Sequence, residues 1–384
     1  MMIPQVARTL IKEFKPKDCR LLLDPYMGSG TSLVEANIAG IDAIGTDINP
    51  LALLMSKVKT THYNLSDISY YYSEICLHFS FYNPDDVKDK NFDRISNCTF
   101  WYSEDSLLKL SFITQLINEL VPDLYQDFFR VALSETIREV SFTRNGEFKR
   151  YRMEQEKINT FKPNVFKNFE SKVIRNITGL MAFNKLDTGA TSEIYSFNSV
   201  FSIPDDIIQN ESLDMVVTSP PYGDSRTTVA YGQFSRWANE WFGFENAKNL
   251  DSLLMGGQKS KVCNFETETI AKQLKEIENL DRKRHGEVIS FLDDYFFSIK
   301  NVAKKVRSGG RVCYVVGNRR VKNVQIALDF FTAETFERFG FQHEITIVRD
   351  IPNKRMPSKN SPSNVIGRKV STMSNEYIVI LTKK

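Results

Sequence analysis

The sequence is poor in the residues that build metal centres and disulfide frameworks. Its five cysteines are odd in number, widely spaced along 384 residues and without any Cys-x-x-Cys pair. Its four histidines are equally scattered. Disulfide frameworks and zinc sites need such residues in pairs or at short spacings. The sequence therefore predicts neither, and we expect no metal site.

Long hydrophobic runs are absent as well. No apolar run approaches the roughly 20 residues that a membrane span requires, and no charged leader with an apolar centre precedes the first domain. The content of 42% hydrophobic and 25% charged residues is typical of a soluble globular protein. We therefore expect a cytoplasmic protein without a membrane partner.

A large excess of one charge is also missing. The 50 Lys and Arg residues exceed the 47 Asp and Glu residues by only three, so the charge of the whole chain is weak evidence for a nucleic-acid partner. Local basic clusters would have to attract one. The length of 384 residues suits one large α/β domain with an insertion, or two ordinary domains.

What the sequence does contain, near its N-terminus, is the opening of a doubly wound α/β sheet. Leu21 to Leu23 form a short apolar strand, Ser32 to Ala39 form a helix that Gly40 stops, and Ala43 to Thr46 form the next strand. Ligands of such sheets lie beyond the carboxyl ends of the strands. Further strands are predicted at 193–201, 213–218, 311–316, 342–348 and 377–381, and further helices at 287–306, ending at Ser308-Gly309-Gly310, and at 326–339.

Between these strands the sequence becomes aromatic-rich and helical. Apolar residues from Leu107 to Leu120 recur at helical spacing. We therefore predict a sheet domain formed by 1–62 and 191–384, and a largely helical inserted domain at 63–190. Residues 352–367, rich in Pro, Ser, Asn, Lys and Arg, predict a loop before the last strand.

A glycine-rich turn follows the first strand, in Leu21-Leu-Leu-Asp24-Pro-Tyr-Met-Gly28-Ser-Gly30-Thr31. It lacks the third glycine of the dinucleotide fingerprint. Asp47 ends the second strand, where its carboxylate can accept both hydroxyls of a ribose. Gly28 and Gly30 let the backbone approach a ligand closely, and Asp24 can accept from the ammonium of a methionine moiety. The combination indicates S-adenosylmethionine (AdoMet); the alternative is a strand-turn-helix without a ligand.

The second informative segment is the apolar strand Leu213 to Thr218, which runs into Ser219-Pro220-Pro221-Tyr222. Prolines have no N–H, so their carbonyls stay free to accept from an incoming NH2 group, and the tyrosine ring offers a stacking face. Ser219 Oγ and the Pro220 carbonyl are the predicted acceptors. They would draw a poorly nucleophilic aromatic amine towards tetrahedral geometry. The alternative is a proline turn that closes a buried strand.

This loop contains no cysteine. Methylation of cytosine C5 needs a thiolate that adds to the ring, so that reaction is disfavoured. Methylation of an exocyclic amine is favoured instead. A base inside a duplex would have to be flipped out to reach the loop.

These motifs resemble those of the DNA amino-methyltransferases, the N4-cytosine and N6-adenine group that accompanies restriction systems. DPYMGSGTSLVEA resembles their AdoMet motif, and TSPPYGDSRTTVAYGQFSR resembles their catalytic motif. Ser-Pro-Pro-Tyr is associated with the N4-cytosine enzymes. The resemblance implies a Rossmann-like methyltransferase sheet, AdoMet as cofactor, double-stranded DNA as partner and a cognate restriction endonuclease acting at the same site.

The residues carried over to the cofactor site are Pro4, Asp24, Pro25, Met27, Gly28, Gly30, Thr31, Asp47, Ile48 and Asn49. Family members often have residues ahead of the Ile3-Pro4-Gln5 helix that help to close over AdoMet, which predicts a lower cofactor affinity here. Three alternatives stay open: methylation of adenine N6, methylation of an RNA base, and a catalytically silent DNA-recognition subunit.

Contact with DNA requires Lys and Arg at phosphate spacing. A basic cluster, interleaved with aromatic residues, extends from Arg138 to Arg152. A charge run is more often a solvated face than a binding site, and the resemblance raises the weight of the binding alternative. The predicted nucleic-acid residues are Arg138, Arg144, Lys149, Arg152, Arg226, Tyr231, Lys354 and Arg355.

Overall fold

The computed structural model describes residues 2–90, 92–144, 149–186, 188–223, 231–258, 263–351, 359–360, 370–371 and 375–384. For Tyr231 and for residues 359–360 and 370–371, it describes the backbone alone. Within these ranges no helix is long and apolar enough to cross a membrane. Nor does any group of three His, Cys, Asp or Glu side chains in the same ranges have an arrangement that could hold a metal ion.

A seven-stranded mixed sheet forms the centre of the fold, in the order β3-β2-β1-β4-β5-β11-β8. β1 to β5 are parallel to one another, and β11 is antiparallel to both of its neighbours. The described strands are β1 Leu21–Asp24, β2 Asp42–Thr46, β3 Ser192–Tyr195, β4 Leu213–Thr218, β5 Val306–Val316, β6 Arg320–Val321, β7 Val324–Gln325, β8 Phe341–Asp350, β9 Lys359–Asn360, β10 Val370–Ser371 and β11 Asn375–Lys383.

The order of the strands determines where a ligand can lie. From β1 the chain runs outwards to β2 and β3, and it then returns to place β4 on the other side of β1. The carboxyl ends of β1 and β4 therefore flank the point where the order reverses, which is the usual ligand crevice of a doubly wound sheet. This topology confirms the predicted fold class.

The described helices are α1 Pro4–Phe14, α2 Thr31–Ile38, α3 Pro50–Thr60, α4 Leu65–Phe79, α5 Cys98–Trp101, α6 Glu104–Leu120, α7 Asp123–Glu139, α8 Gln155–Thr160, α9 Val165–Asn184, α10 Tyr231–Trp241, α11 Leu250–Leu253, α12 Ala271–Leu280, α13 Arg282–Lys305 and α14 Leu328–Arg338. Proline occupies the first turn of α1 and of α3, where its missing N–H removes no helical hydrogen bond.

The chain divides into two compact units. The first consists of 1–48, 189–229 and 252–384, and the second of 49–188 and 230–251. The first unit contains the sheet, and all six residues of β4 are buried, as expected for a strand covered on both faces. Its core includes β4 and β5 side chains packed with Phe291, Tyr295 and Phe336.

The second unit is helical and has its own core. This core combines aliphatic side chains with large aromatic ones, among them Phe128, Phe129, Trp237 and Trp241. Residues 104–120 form one continuous helix, α6, which confirms the helical spacing predicted there. The unit starts at residue 49 and includes 230–251, whereas the sequence predicted an insertion bounded by 63 and 190.

Two predicted elements differ from the observed ones. The strand predicted at 193–201 ends at Tyr195, because Phe197 turns aside and its carbonyl accepts from Thr46 Oγ1 at 2.7 Å. The helix predicted at 287–306 ends at Lys305, within one residue of the prediction, but Ser308-Gly309-Gly310, which were predicted to stop it, belong to β5. Gly309 has a φ of 73°, and the register between β4 and β5 shifts at this point. The glycines therefore form a bulge instead of ending a helix.

Candidate active site

The candidate site lies where β1, β2 and β4 end. Asp24 is the last residue of β1, and Thr218 is the last residue of the neighbouring β4. Thr218 Oγ1 donates a 2.6 Å hydrogen bond to Asp24 Oδ1. Parallel strands end at the same edge of a sheet, so the two segments that the sequence singled out are adjacent although 194 residues separate these two side chains.

Asp24 connects three parts of this edge. Its side chain is only 2% exposed. Besides Thr218, it accepts from the hydroxyl of Ser32 on α2 and from the backbone N–H of Tyr26, the latter at 3.0 Å. Burial raises the pKa of Asp24 to about 6, against the effect of these hydrogen bonds. Asp24 therefore stabilises the turn, and its predicted contact with a methionine ammonium stays a prediction.

The glycine-rich turn is fastened to β2. Met27 N–H donates to the Thr46 carbonyl at 3.2 Å, and Gly28 N–H donates to Asp47 Oδ2 at 3.1 Å. Gly28 has a φ of 51°, and a Cβ added to it would meet no atom within 4 Å. The turn thus presents open space beside the half-buried carboxylate of Asp47, and these groups fit a ribose and its linked methionine chain.

Gly30 has a second local role. Its φ of 75° places it in the left-handed region, and it is the N-cap of α2. A side chain would strain this conformation. The turn therefore leads directly into the amino end of a helix, with Thr31 as the first helical residue.

The other predicted cofactor residues divide by exposure. Pro25 and Met27 are buried, Ile48 is half-buried, and Pro4 is exposed at the first position of α1. Met27 packs so closely on Gly45 that a Cβ on that glycine would clash with the Met27 sulfur. Met27 therefore anchors the turn to β2 by packing.

Asn49 begins the second unit and has a visible structural role within it. Its Oδ1 accepts from Leu51 N–H at 3.2 Å, capping α3, and from Asn239 Nδ2 at 3.1 Å. Its Nδ2 donates to Ser235 Oγ at 3.2 Å. These bonds join α3 to α10, and the predicted role of Asn49 in cofactor binding stays a prediction.

The segment after β4 forms a hydrogen-bonded chain of side chains. Ser219 Oγ lies 3.1 Å from Tyr222 OH. Tyr222 OH donates to Glu376 Oε1 at 3.0 Å. Between Ser219 and Tyr222 in the sequence, Pro220 is buried and Pro221 is half-buried. Ser219 Oγ, a predicted acceptor, is thus coupled to the hydroxyl of the tyrosine whose ring is predicted to stack on the base.

Glu376 and Arg349 are the residues that sequence reasoning missed. Glu376 lies on β11 and is 7% exposed. Arg349, on the adjacent β8, donates to its Oε2 from Nε at 3.1 Å and from Nη2 at 2.5 Å. The sole sequence signal was a charged residue at the start of an apolar strand. No spacing connects it to Tyr222, which is 154 residues away.

A further contact supports the turn from the side of α13. The Tyr26 hydroxyl donates to Ser298 Oγ, which in turn lies 2.9 Å from Ser199 Oγ. Burial raises the pKa of Tyr26 to about 12. Its hydroxyl therefore stays protonated near neutral pH and acts as a fixed hydrogen-bond donor.

The predicted nucleic-acid residues are not equivalent in the second unit. Arg138 is 7% exposed, donates to the Phe234 carbonyl at 3.1 Å and lies 4.2 Å from the centre of the Phe234 ring. Burial lowers the pKa of its guanidinium. Arg138 is thus a mostly buried side chain that contacts α10, and its predicted role in DNA binding stays a prediction.

Arg144, Lys149 and Arg152 remain accessible to different degrees. Arg144 is 48% exposed and lies 3.5 Å from Glu154. Lys149 is half-buried. Arg152 donates to the Phe100 carbonyl at 2.9 Å and covers the Phe100 ring at 4.3 Å. Arg226, Lys354 and Arg355 lie outside the described residues, as does the side chain of Tyr231.

Comparison with known proteins gives relatives along the whole chain, although no family model matches it. The sequence is 39% identical to the type II methyltransferase M.MvaI of Kocuria varians over 407 residues, covering 99% of this chain and 88% of the relative. It is 26% identical to the type II methyltransferase M.BsoBI of Geobacillus stearothermophilus, covering 88% of this chain and 76% of the relative.

Among solved structures, the rRNA methyltransferase aviRa of Streptomyces viridochromogenes is 10% identical, with a TM-score of 0.34. The alignment covers 99% of this chain and 85% of that protein. A likeness at this TM-score supports no inference about the chain.

Proposed function

Because the chain belongs to the type II methyltransferases, we propose that it transfers a methyl group from AdoMet to the exocyclic N4 of cytosine in double-stranded DNA. One observation carries the proposal. Ser219-Pro220-Pro221-Tyr222 follows β4 directly beside the end of β1, where Asp24 precedes the glycine-rich turn. The acceptor loop and the candidate cofactor turn therefore share one edge of the sheet.

The cofactor side of the proposal depends on Asp47 and Gly28. When bound, AdoMet supplies an electrophilic methyl group on a sulfonium sulfur. The carboxylate of Asp47 would accept from the ribose hydroxyls. The open space at Gly28 would let the ligand lie close to the main chain. Thr31 begins α2, and the amino end of this helix would favour the carboxylate group of the cofactor.

The substrate side depends on Ser219 and Pro220. The N4 lone pair of cytosine is delocalised into the ring, so the amine is a poor nucleophile. Ser219 Oγ and the Pro220 carbonyl would accept its two N–H groups and concentrate the lone pair on nitrogen. The nitrogen loses one proton to water as it gains the methyl group. Catalysis by these residues is thus a matter of position and hydrogen bonding.

The base must leave the duplex to reach this loop. The ring of Tyr222 would stack on the flipped cytosine, a contact that typically contributes about 1–3 kcal/mol per base. Arg144, Lys149 and Arg152 would contact phosphates. A methyl group placed in this way would protect a short sequence from a restriction endonuclease that recognises the same site.

The product decides the proposal. The protein is incubated with AdoMet carrying a labelled methyl group and unmethylated duplex DNA, and the digested nucleosides are identified by mass spectrometry. N4-methylcytosine is the expected product. N6-methyladenine would overturn the choice of base, and label found only after incubation with RNA would overturn the choice of nucleic acid.

A matched pair of variants assigns the activity to the loop. Ser219→Ala should lower kcat by roughly 10²-fold, because one acceptor of the reacting amine is lost. Ser212→Ala is the control just before the opposite end of β4, where the hydroxyl donates to the Gln209 carbonyl at 2.8 Å. Its kcat should match that of the wild type, and equal kcat in both variants would exclude Ser219 as an acceptor.

A further inference from the structure

The chain of hydrogen bonds from Ser219 to Arg349 has a direction that its chemistry fixes. Arg349 carries only donors, and it donates to Glu376 Oε2 from Nε and Nη2. The carboxylate of Glu376 has only acceptors. Its other oxygen, Oε1, therefore accepts the phenolic proton of Tyr222 across 3.0 Å.

The direction of the Tyr222–Glu376 hydrogen bond also determines which oxygen donates between Ser219 and Tyr222. A tyrosine hydroxyl has one proton, and here Glu376 receives it. Across the 3.1 Å contact between Tyr222 OH and Ser219 Oγ, the tyrosine oxygen can then only accept. Ser219 must donate its proton to Tyr222, which leaves the lone pairs of Ser219 Oγ as the groups that remain for a substrate.

We propose that Glu376 is a positioning residue that fixes Ser219 as a hydrogen-bond acceptor, so that the site selects a base with an exocyclic amine over one with a carbonyl at the same position. The inference deepens the proposed function and rests on it. Cytosine N4 donates two protons, whereas uracil O4 offers only lone pairs. Two sets of lone pairs facing each other leave a polar group unpaired, which is costly in a closed pocket.

A purely structural role for Glu376 is the competing explanation. The ion pair with Arg349 joins β8 to β11, and it could serve the sheet alone. In that case changes to Glu376 would alter the stability of the protein without altering its choice of base. The two explanations therefore differ in selectivity.

Glu376→Gln distinguishes them because it reverses the chain. Arg349 requires an oxygen at the Oε2 position, so the glutamine amide would place its NH2 group at the Oε1 position, facing Tyr222. Tyr222 would accept from this NH2 group and donate to Ser219. The proton of Ser219 would then point to the base, where uracil O4 accepts it and cytosine N4 cannot.

The measurement is the affinity of the protein for two duplexes that differ only in cytosine or uracil at the target position. A G·U pair opens more easily than a G·C pair, but that effect is common to all variants and cancels when their ratios are compared. Relative to wild type, Glu376→Gln should shift the ratio towards uracil by roughly 10-fold, the ordinary effect of one hydrogen bond. An unchanged ratio would overturn the proposal.

Tyr222→Phe provides a second test that keeps the stacking ring and all charges. It should lower kcat by roughly 10-fold. Since both changes break one chain, the double variant Glu376→Gln with Tyr222→Phe should lose little more than Tyr222→Phe alone. Multiplied losses would show that Glu376 acts independently of Tyr222.

Two controls complete the experiment. Tyr125→Phe removes a tyrosine-to-carboxylate bond of the same kind, to Asp67 in the second unit, and should leave kcat and the base ratio unchanged. The identity of the wild-type product separates the two proposals. If that product is N6-methyladenine, the N4 assignment fails. The chain of hydrogen bonds from Ser219 to Arg349 is then tested with adenine and hypoxanthine, which carry an exocyclic amine and a carbonyl at the same position.

Discussion

At the residue scale, two aspartates at neighbouring strand ends have different environments. Asp24 is enclosed by three donors and is buried. Asp47 is half-buried, and one of its oxygens receives the Gly28 N–H. Its three hydrogen bonds make Asp24 a structural centre of the turn, while the partial exposure of Asp47 suits contact with a ligand.

The first prediction concerns the pH dependence of Asp24. Its pKa is raised to about 6, whereas an unfolded aspartate titrates near pH 4. Between these values the folded protein holds a proton that the unfolded chain has released, so the free energy of unfolding falls as pH rises through this window. Two pKa units correspond to roughly 3 kcal/mol.

Asp24→Asn should remove this fall, because asparagine does not titrate. Urea unfolding of both proteins at pH 4, 5, 6 and 7 measures the difference, in which all other titrating groups cancel. The free energy of unfolding of the variant should rise relative to that of the wild type as pH rises from 4 to 6. Parallel curves would contradict the burial of a protonatable Asp24.

The second prediction concerns Asp47. Asp47→Ala should weaken AdoMet binding by roughly 10- to 100-fold, because hydrogen bonds to a charged acceptor are lost. Asp47→Asn keeps one oxygen for the Gly28 N–H and should also bind AdoMet more weakly than the wild type. Isothermal titration calorimetry in the absence of DNA measures the affinity of both variants for AdoMet.

The control for Asp47 lies on the same strand. Asp42 begins β2 and accepts from Thr191 N–H at 2.7 Å, at the end of the strand opposite to Asp47. Asp42→Ala should bind AdoMet as the wild type does. Equal affinities of the Asp42 and Asp47 variants would remove Asp47 from the proposed site.

At the element scale, the junction of α13 and β5 is tightly fastened. α13 ends at Lys305, and β5 begins at the next residue. Lys383 Nζ donates to the carbonyls of Ala303 at 3.0 Å and Val306 at 2.7 Å, which satisfies the end of the helix. The bulge that follows lets β5 regain its register beside β4.

The third prediction tests this bulge. A Cβ on Gly310 would lie 2.7 Å from Val306 Cγ1, 2.9 Å from the Arg307 carbonyl oxygen and 3.1 Å from the Leu213 carbonyl oxygen. Backbone cannot yield as a flexible side chain does, so Gly310→Ala should lower the free energy of unfolding by about 1–3 kcal/mol. Urea denaturation is the measurement.

Gly286→Ala is the matched control for this change. Gly286 lies inside α13, and an added Cβ would meet nothing within 4 Å. Alanine should raise the free energy of unfolding by about 0.5–1 kcal/mol there. A Gly310 variant as stable as the wild type would show that the bulge can relax.

At the scale of the whole molecule, charge is distributed locally. An excess of three basic residues in 384 gives little general attraction to a polyanion. Any affinity for DNA must therefore come from particular groups, and Arg144 and Lys149 belong to the second unit. Each phosphate contact that they make would release a counterion.

The fourth prediction is a change in salt dependence. Arg144→Gln with Lys149→Gln should reduce the slope of log affinity against log salt by roughly 2, since each phosphate contact contributes about 0.9. Lys275→Gln, an exposed lysine of the first unit, should leave the slope unchanged. DNA binding at several salt concentrations measures the slopes, and an unaltered slope in the double variant would exclude both residues as phosphate contacts.

Local sequence determined the positions of the strands and turns around the site. The carboxyl ends of β1, β2 and β4 fall at the residues predicted, to within one residue, because short apolar runs, glycines with positive φ and prolines act within a few residues of themselves. The positions of Asp24, Asp47 and the Ser219 to Tyr222 loop at the ends of strands could therefore be predicted from the sequence, and their roles in a site stay predictions.

Only the tertiary structure decided what those residues contact. Glu376 reaches Tyr222 because β11 lies beside β5 in the sheet order, and Asp24 meets Thr218 because β1 lies beside β4. Burial of Arg138 under Phe234 likewise joins elements far apart in sequence. Sequence specifies hydrogen-bonding capacity and local conformation, whereas the pairing of distant groups depends on strand order and packing, which no local spacing encodes.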